Sequence, residues 1–421
     1  MNVLILSTSE RIGGAAIAAN RLLDALNNNG IKAKMLVRDK QTDKSTVISL
    51  DKSWLHAFKF VWERFCICKA NGFHKHRLFE LDLANVGTDI SNLPEFQEAD
   101  IIHLHWINQG FLSLGNLNKI IDSGKPIVWT MHDMWPFTGT CHYSGECTKF
   151  KTACHHCPIL YSGGGARDIS WQTFNKKKNL FKKARIHFVA CSQWLENLAK
   201  ESALLESQEV CNIPNAINTQ IFRPKDKIKA REKLQLPVDK KLLLFGSLKI
   251  TDTRKGVSYL IEACRWIQQK YADLSGQLAI VTMGHEGDAA KDLFPFPVYS
   301  LNYVSNESGL ADVYNAVDLY VTPSLQDNLP NTIVEAMACG VPCVGFYVGG
   351  IPQMIDHLHN GYVAEYKNAE DFANGIHWAL VEDDYNNLSE WAVRKALDTY
   401  SEKCVAKQYL AVYNKAIGTN E

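Results

Sequence analysis

Two acids eight residues apart, Asp327 and Glu335, stand in the run Pro323-Ser-Leu-Gln-Asp-Asn-Leu-Pro-Asn-Thr-Ile-Val-Glu-Ala-Met-Ala-Cys-Gly340. The run predicts a loop followed by a helix. Ser324, Gln326, Asp327 and Asn328 are loop and capping residue types, Pro330 suits a first helical position because it has no N–H to leave unpaired, and Gly340 suits the C′ position. Beyond it, residues 341–348 predict a buried strand, and Gly349-Gly-Ile-Pro352 is a second glycine-rich turn leading into a helix. Open α/β sheets bind phosphates at such loop-to-helix junctions, where free N–H groups meet the positive helix end. One acid before the helix and one inside it suit hydroxyl groups flanking those phosphates. The plainer reading makes Asp327 a loop cap and Glu335 a solvated residue, but Glu335 lies between Val334 and Ala336 in an otherwise small or apolar helix.

The pair Arg254-Lys255 precedes another predicted helix. A basic pair is poorly placed at a helix start by the dipole alone, which points to an anion there rather than to solvent. His132 stands at the end of the strand Trp129-Thr-Met-His-Asp133, where α/β sheets carry their sites; capping the strand is its structural alternative. His103 and His105 alternate with apolar residues and share one strand face, which fits core or supporting positions better than reacting ones.

The elements that must position these residues alternate. Val3–Ser7 predicts a strand, Gly13-Gly14 a turn without side chains, and residues 15–27 a helix. Strands follow at 33–37, 101–105, 127–131 and 187–191. Prolines and asparagines over 212–224 break the pattern, a basic helix follows, and a second series begins with strands at 241–246, 277–282 and 318–322. Residues 370–421 predict helices only. This is the pattern of parallel sheets in two domains, and 421 residues exceed one ordinary core.

Composition is that of a soluble globular protein, with 46% hydrophobic and 21% charged residues. A formal net charge of zero gives no support for nucleic-acid binding. No apolar run has the length of a membrane span, and the start lacks the basic region of a signal peptide, so a cytoplasmic protein is expected. Twelve cysteines, several isolated in apolar stretches, read as reduced thiols.

The second half resembles the retaining glycosyltransferases of family 4, of the GT-B fold. Gly246 ending a strand, Arg254-Lys255-Gly256, Leu310 to Tyr314 leading to Asp318, the acids Asp327 and Glu335, and Gly349-Gly350-Ile351-Pro352 carry the likeness, with Gly13-Gly14 and His132 in the first half. It departs from the family in having Asp327 where glutamate is usual, Pro330 nearby, and Ser247 where arginine often follows the glycine. The resemblance implies two Rossmann-like doubly wound domains facing a central cleft. The expected division is 1–218, an acceptor-side domain with a Cys-rich insertion at 140–158; 219–399, the donor domain; and 400–421, a helix returning to the first.

It further implies a nucleotide-sugar donor and a glycan or lipid-linked acceptor, in the manner of bacterial polysaccharide biosynthesis. Glu335 would hold the nucleotide ribose. Asp327, with the backbone at Asn328 and Leu329, would hold the sugar, and Lys255 and Arg254 would meet the diphosphate, with Lys255 the closer match. Gly246, Gly13 and Gly14 would allow close approach, and His132 would line the sugar pocket. Charge grows on the diphosphate as the glycosidic bond breaks, so cations and helix ends aimed there favour the transition state without a catalytic cofactor. A nucleotide-sugar epimerase of similar fold and a non-catalytic zinc-stapled scaffold are the alternatives.

Cys141, Cys147, Cys154 and Cys157 have the spacing C-x5-C-x6-C-x2-C, which suits a structural zinc, with His142, His155 and His156 as substitutes; disulfides or free thiols are the alternative. Residues 54–69 mix aromatics with basic residues, and 176–183 are rich in lysine. Either stretch suits an anionic membrane at the inner face of the cytoplasmic membrane, and a core-packed helix suits the first, and a solvated helix face the second, at least as well.

Overall fold

The computed structural model describes residues 1–50, 54–75 and 77–418. The chain forms two compact units, one of Met1–Asn215 with Val405–Glu421 and one of Ala216–Cys404.

The first unit is a seven-stranded sheet, β1 (Asn2–Ser9), β2 (Lys32–Asp39), β3 (Val47–Ser49), β4 (Ile101–Leu104), β5 (Ile127–Met131), β6 (Ile186–Ala190) and β7 (Glu209–Asn212), in the order β3-β2-β1-β4-β5-β6-β7. Every ladder is parallel. Its helices are α1 (Gly14–Asn28), α2 (Trp54–Ala70), α3 (Pro94–Glu98), α4 (Leu114–Asp122), α5 (Ile169–Phe181) and α6 (Gln193–Lys200). The central strands are buried on both faces, which is why they read as unbroken apolar runs. Short β3 and half-exposed β7 lack that signature and lie at the sheet's edges.

The second unit is a six-stranded parallel sheet in the order β10-β9-β8-β11-β12-β13. Its strands are β8 (Lys241–Lys249), β9 (Leu278–His285), β10 (Val298–Leu301), β11 (Leu319–Thr322), β12 (Cys343–Phe346) and β13 (Gly361–Ala364). Around it lie α7 (Lys227–Leu234), α8 (Val257–Lys270), α9 (Ala272–Ser275), α10 (Glu307–Ala316), α11 (Asn331–Ala338), α12 (Ile351–Met354), α13 (Ala369–His377) and α14 (Tyr385–Lys395). The last helix, α15 (Glu402–Ile417), belongs to the first unit from Val405 onward. There Tyr413 and Tyr409 bury their hydroxyls against His103 Nδ1 (2.7 Å) and Thr130 Oγ1 (2.8 Å).

In each sheet the strand order reverses once, between β1 and β4 and between β8 and β11. Parallel α/β sheets bind ligands beyond the carboxyl ends of the strands at that reversal, because the flanking loops run to opposite faces and leave a crevice. Loops 250–256 and 323–330 leave β8 and β11 at this point in the second unit.

Candidate donor-binding site

Loop 323–330 is built by close backbone approach. Gly256, at φ +72, lies so near that a Cβ there would stand 1.9 Å from the carbonyl oxygen of Pro323. Gly349, at φ +57, faces the carbonyl of Asp327 in the same way, at 1.7 Å. Only glycine fits either place, by backbone conformation and by space. These glycines therefore shape the loop from both sides. Leu325 N donates to Arg254 O at 2.8 Å and the Tyr366 hydroxyl to Leu325 O at 3.1 Å, which completes the frame.

Within it, Lys255 Nζ donates to Asp327 Oδ2 at 2.6 Å, and Ser324 Oγ approaches the same oxygen at 3.4 Å. Arg254 sits more loosely, with Nη1 at 3.4 Å from Gln326 O and Nη2 at 3.4 Å from Asp252. Both basic residues lie in a 3-10 turn, Thr253–Lys255, one residue ahead of α8 rather than inside it. Gly246 lies within β8, which runs on to Lys249 past a register shift, so the expected strand end at Gly246 is corrected by a bulge. Pro330 precedes α11 as its cap residue instead of opening it, and Gly340 follows the last turn at φ +77. Asn328 and Leu329 are buried.

Glu335 is 4% exposed on α11, and the hydroxyl of Tyr314 from α10 donates to its Oε2 at 2.7 Å. Burial, and then the carboxylate, push the Tyr314 phenol far above its usual range, so it stays a donor. This partner lies 21 residues away and shows no local spacing that announces it. Tyr320 steadies the same helix, its hydroxyl donating to Thr332 at 2.8 Å. A buried carboxylate in an apolar helix, a lysine–aspartate pair and the N-terminus of α11 thus all belong to loops leaving β8 and β11. Such a set grips a polyhydroxylated anion, with cations for its charge and carboxylates for its hydroxyls.

The remaining expected residues lie in the first unit. Gly13 is the residue before α1, at φ +91 with nothing within 4 Å of a built Cβ, and Gly14 is the first residue of that helix. His132 follows β5. Its Nε2 is 2.9 Å from His105 Nδ1 and its Nδ1 is 3.4 Å from Cys191 Sγ. Burial pulls His132 down to about 4 and His103 to about 3, so these rings are neutral. Next to His132, Asp133 Oδ2 accepts from the Trp106 indole (2.9 Å) and pairs with His142 Nδ1 (2.8 Å), whose Nε2 meets Asp82 at 2.7 Å. Burial opposes the charge of His142, but Asp133 and Asp82 together outweigh it and raise the imidazole to about 10.

The zinc expected at Cys141, Cys147, Cys154 and Cys157 finds no support. All four are free thiols, and among the described residues no three His, Cys, Asp or Glu side chains are grouped to hold a metal ion. Burial raises the thiols of Cys141 to about 12 and Cys154 to about 11, so without a metal they stay S–H. Hydrogen bonds hold the insertion instead. Gly139 N donates to Cys154 Sγ (3.2 Å), Cys157 N to Asp168 Oδ2 (2.9 Å) and His156 N to Gly165 O (2.9 Å), and His142 is clasped between its two acids. The lysine stretch 176–183 is also not one surface patch. Lys177 is fully buried, its ammonium 3.5 Å from the Trp135 ring centroid, and burial pulls it down to about 7.

Two family descriptions match the sequence, Glycosyltransferase Family 4 over residues 12–221 and Glycosyl transferases group 1 over 239–382. An uncharacterized glycosyltransferase of Methanocaldococcus jannaschii is 30% identical over 371 residues, 80% of this chain and 90% of that protein. The N,N'-diacetylbacillosaminyl-diphospho-undecaprenol alpha-1,3-N-acetylgalactosaminyltransferase of Campylobacter jejuni is 25% identical over 218 residues, 51% of this chain and 56% of the other. The chain spans about half the length of several curated relatives that it matches. Among solved structures, Anabaena HepE in complex with UDP and glucose shares the fold, with TM-score 0.63 at 16% identity over 99% of this chain and 100% of that one.

Proposed function

The chain is a member of glycosyltransferase family 4, with the GT-B fold, and from that premise we propose that it is a retaining enzyme drawing on a nucleotide-sugar donor through loops 250–256 and 323–335. The single observation that carries the reading is Glu335. A carboxylate 4% exposed in an apolar helix, oriented by the Tyr314 hydroxyl, costs stability unless something uses it. Its role is to accept the ribose hydroxyls. Asp327 takes hydroxyls of the sugar, with the backbone at Asn328 and Leu329. Lys255, freed from Asp327 when the sugar arrives, and Arg254 behind it take the diphosphate, and Gly246, before the bulge of β8, allows close approach.

The chemistry follows from the charge that grows on the leaving diphosphate. The acceptor hydroxyl attacks on the face that the diphosphate leaves, the glycosidic bond breaks with its electrons on the phosphate, and a phosphate oxygen takes the hydroxyl proton. Lys255 and the N-terminus of α11 stabilise that oxygen more as its charge rises, so no metal is required. In the first unit, Gly13 and Gly14 leave room for a ligand at the turn before α1, and His132 is a sugar-binding residue at the end of β5. The acceptor is a glycan or a lipid-linked saccharide in polysaccharide assembly, and the place of work is the cytoplasm.

Thermal-shift screening against a panel of nucleotide sugars tests the donor assignment, because a ligand of the folded state raises the melting temperature. One donor is expected to raise it, and Glu335→Ala is expected to abolish the rise. A rise unchanged in that variant refutes the ribose role. The anomeric configuration of the product, read by proton NMR, decides retention; an inverted product would sink the mechanism.

A further inference from the structure

Helix α2 turns most of its large side chains outward. Trp54 is 76% exposed, Phe58 53%, Val61 61%, Trp62 42% and Phe65 46%, and Phe73 in the turn that follows is 67% exposed. Their spacing of three and four residues puts 54, 58, 61, 62 and 65 on one helix face. The rings join into a continuous strip, with centroids 6.5, 6.1, 5.8 and 6.5 Å apart from Trp54 through Phe58, Trp62 and Phe65 to Phe73. The opposite face is firmly held. Glu63, Arg64 and Ile67 are buried, Glu63 Oε1 accepts from Leu83 N (2.8 Å) and Ala84 N (2.7 Å), and Arg64 pairs with Asp82. The exposure therefore belongs to an anchored helix.

Taking about 150–250 Å² for each wholly exposed aromatic side chain, these fractions leave roughly 600 Å² of contiguous apolar surface. That reaches the largest patch an ordinary soluble monomer shows, roughly 300–600 Å². Its rim is net basic. Lys69 and Lys75 are exposed, Lys69 on the aromatic face one turn beyond Phe65, while Arg77 is exposed but paired with the exposed Glu80 at 2.6 Å, and Glu63 is buried.

We infer that this face of α2 docks the protein on an anionic lipid bilayer. Tryptophan and phenylalanine settle at headgroup depth, while Lys69 and Lys75 at the rim meet the lipid phosphates. A specific protein partner needs a rim of directional hydrogen bonds, and on this strip the polar side-chain groups are two indole N–H groups and Lys69. A second copy stacked face to face would add the repulsion of two such lysines. The inference goes beyond the donor assignment and does not depend on it.

Flotation of the whole chain with vesicles tests it. With vesicles of phosphatidylcholine containing about one-third phosphatidylglycerol, the bound fraction is expected to exceed that on phosphatidylcholine alone by roughly tenfold or more. Trp54→Ser/Phe58→Ser/Trp62→Ser is expected to lose that binding while its melting temperature falls by no more than a few degrees, because these side chains are half or more exposed or rest mainly on one another. Lys69→Glu/Lys75→Glu should lose the preference for the anionic lipid. Wild-type protein that fails to float with either vesicle, or a triple variant that floats as the wild type does, overturns the inference. So does a concentration-dependent dimer, seen by light scattering and abolished in the triple variant, in a protein that binds no vesicles.

Discussion

Lys255 and Asp327 in the second unit pair at 2.6 Å with side chains 23% and 12% exposed, whereas Arg64 and Asp82 in the first unit pair at 9% and 1% exposed. The first pair stands on a loop, where Ser324 Oγ approaches the Asp327 carboxylate at 3.4 Å. The second is locked: Arg64 also donates to Leu78 O (2.6 Å) and Leu81 O (3.0 Å), and Asp82 also holds His142. A pair at the solvent edge can exchange its partner for a ligand, while one enclosed by backbone carbonyls and a third side chain serves as scaffold, even though Arg64 Nε has no partner among the described residues. An ion pair alone does not separate a site from a scaffold; the solvent-reached edge at the end of the sheet does.

Breaking each pair should therefore have opposite signatures. Lys255→Ala is expected to lower kcat by roughly 10²–10³-fold, the range for losing one preorganised charge stabiliser, with a melting temperature within a few degrees of wild type. Arg64→Ala should destabilise the first unit by about 3–5 kcal/mol, because it leaves Asp82 buried without its guanidinium, while the folded fraction keeps its donor affinity. Steady-state kinetics beside denaturant unfolding checks both. If Lys255→Ala unfolds the protein and keeps its activity, the contrast fails.

Two glycines sharpen the same contrast. Gly349→Ala drives a methyl into the Asp327 carbonyl at 1.7 Å and should cost about 3 kcal/mol with a loss of donor affinity, since the loop itself must move. Gly13→Ala meets nothing within 4 Å and carries only the penalty of its positive φ, about 1–2 kcal/mol. Equal losses in the two variants would show that conformation rather than crowding governs both.

The His142 cluster gives a pH-dependent form of the comparison. Its folded pKa of about 10 lies above the unfolded value, about 6.5, so its stabilisation is complete below about 6.5 and is lost as pH rises through 10. Lys177, pulled down to about 7 by burial, works oppositely over part of that range and favours the fold as pH rises above 7. The difference between wild type and His142→Gln isolates the histidine. It should be about 2 kcal/mol near pH 6 and should shrink towards pH 10. A gap that widens with pH contradicts the ion-pair account.

The sequence carries the central strands and the loop from Pro323 to Gly340 plainly, because both are local patterns: apolar runs for a doubly covered sheet, and turn chemistry beside a helix. It is silent where the partner is distant. Nothing near Glu335 names Tyr314, and nothing in Gly349-Gly350 distinguishes a phosphate turn from a backbone wedge against Asp327. Edge strands β3, β7, β10 and β13 are three or four residues long, and each is half-exposed at two or more positions without clear alternation. The cysteine spacing leaves its segment open for the same reason. Four cysteines on a short loop are compatible with a metal, while the bonds from Gly139 and to Asp168 and the clasp on His142 that hold the insertion follow from no spacing rule.

The smallest expected effect concerns the tautomer of His132, where the first unit comes nearest to chemistry. The ring is neutral, so one proton is shared between the contacts to His105 and Cys191. His105 Nε2 is buried without a hydrogen-bond partner. A buried orphan donor is rarer than an orphan acceptor, so His105 carries its proton on Nδ1 and gives it to His132 Nε2, and His132 Nδ1–H then points at Cys191 Sγ. Nitrogen-15 shifts of the imidazole should show the Nδ1–H form in the wild type and a mixture in Cys191→Ala, with Cys191→Ser restoring the single form. Stability should move by about 1 kcal/mol and kcat by less than tenfold, because the thiol only orients the ring. An Nε2–H wild type would reverse the proton order along the chain and make Cys191 the donor.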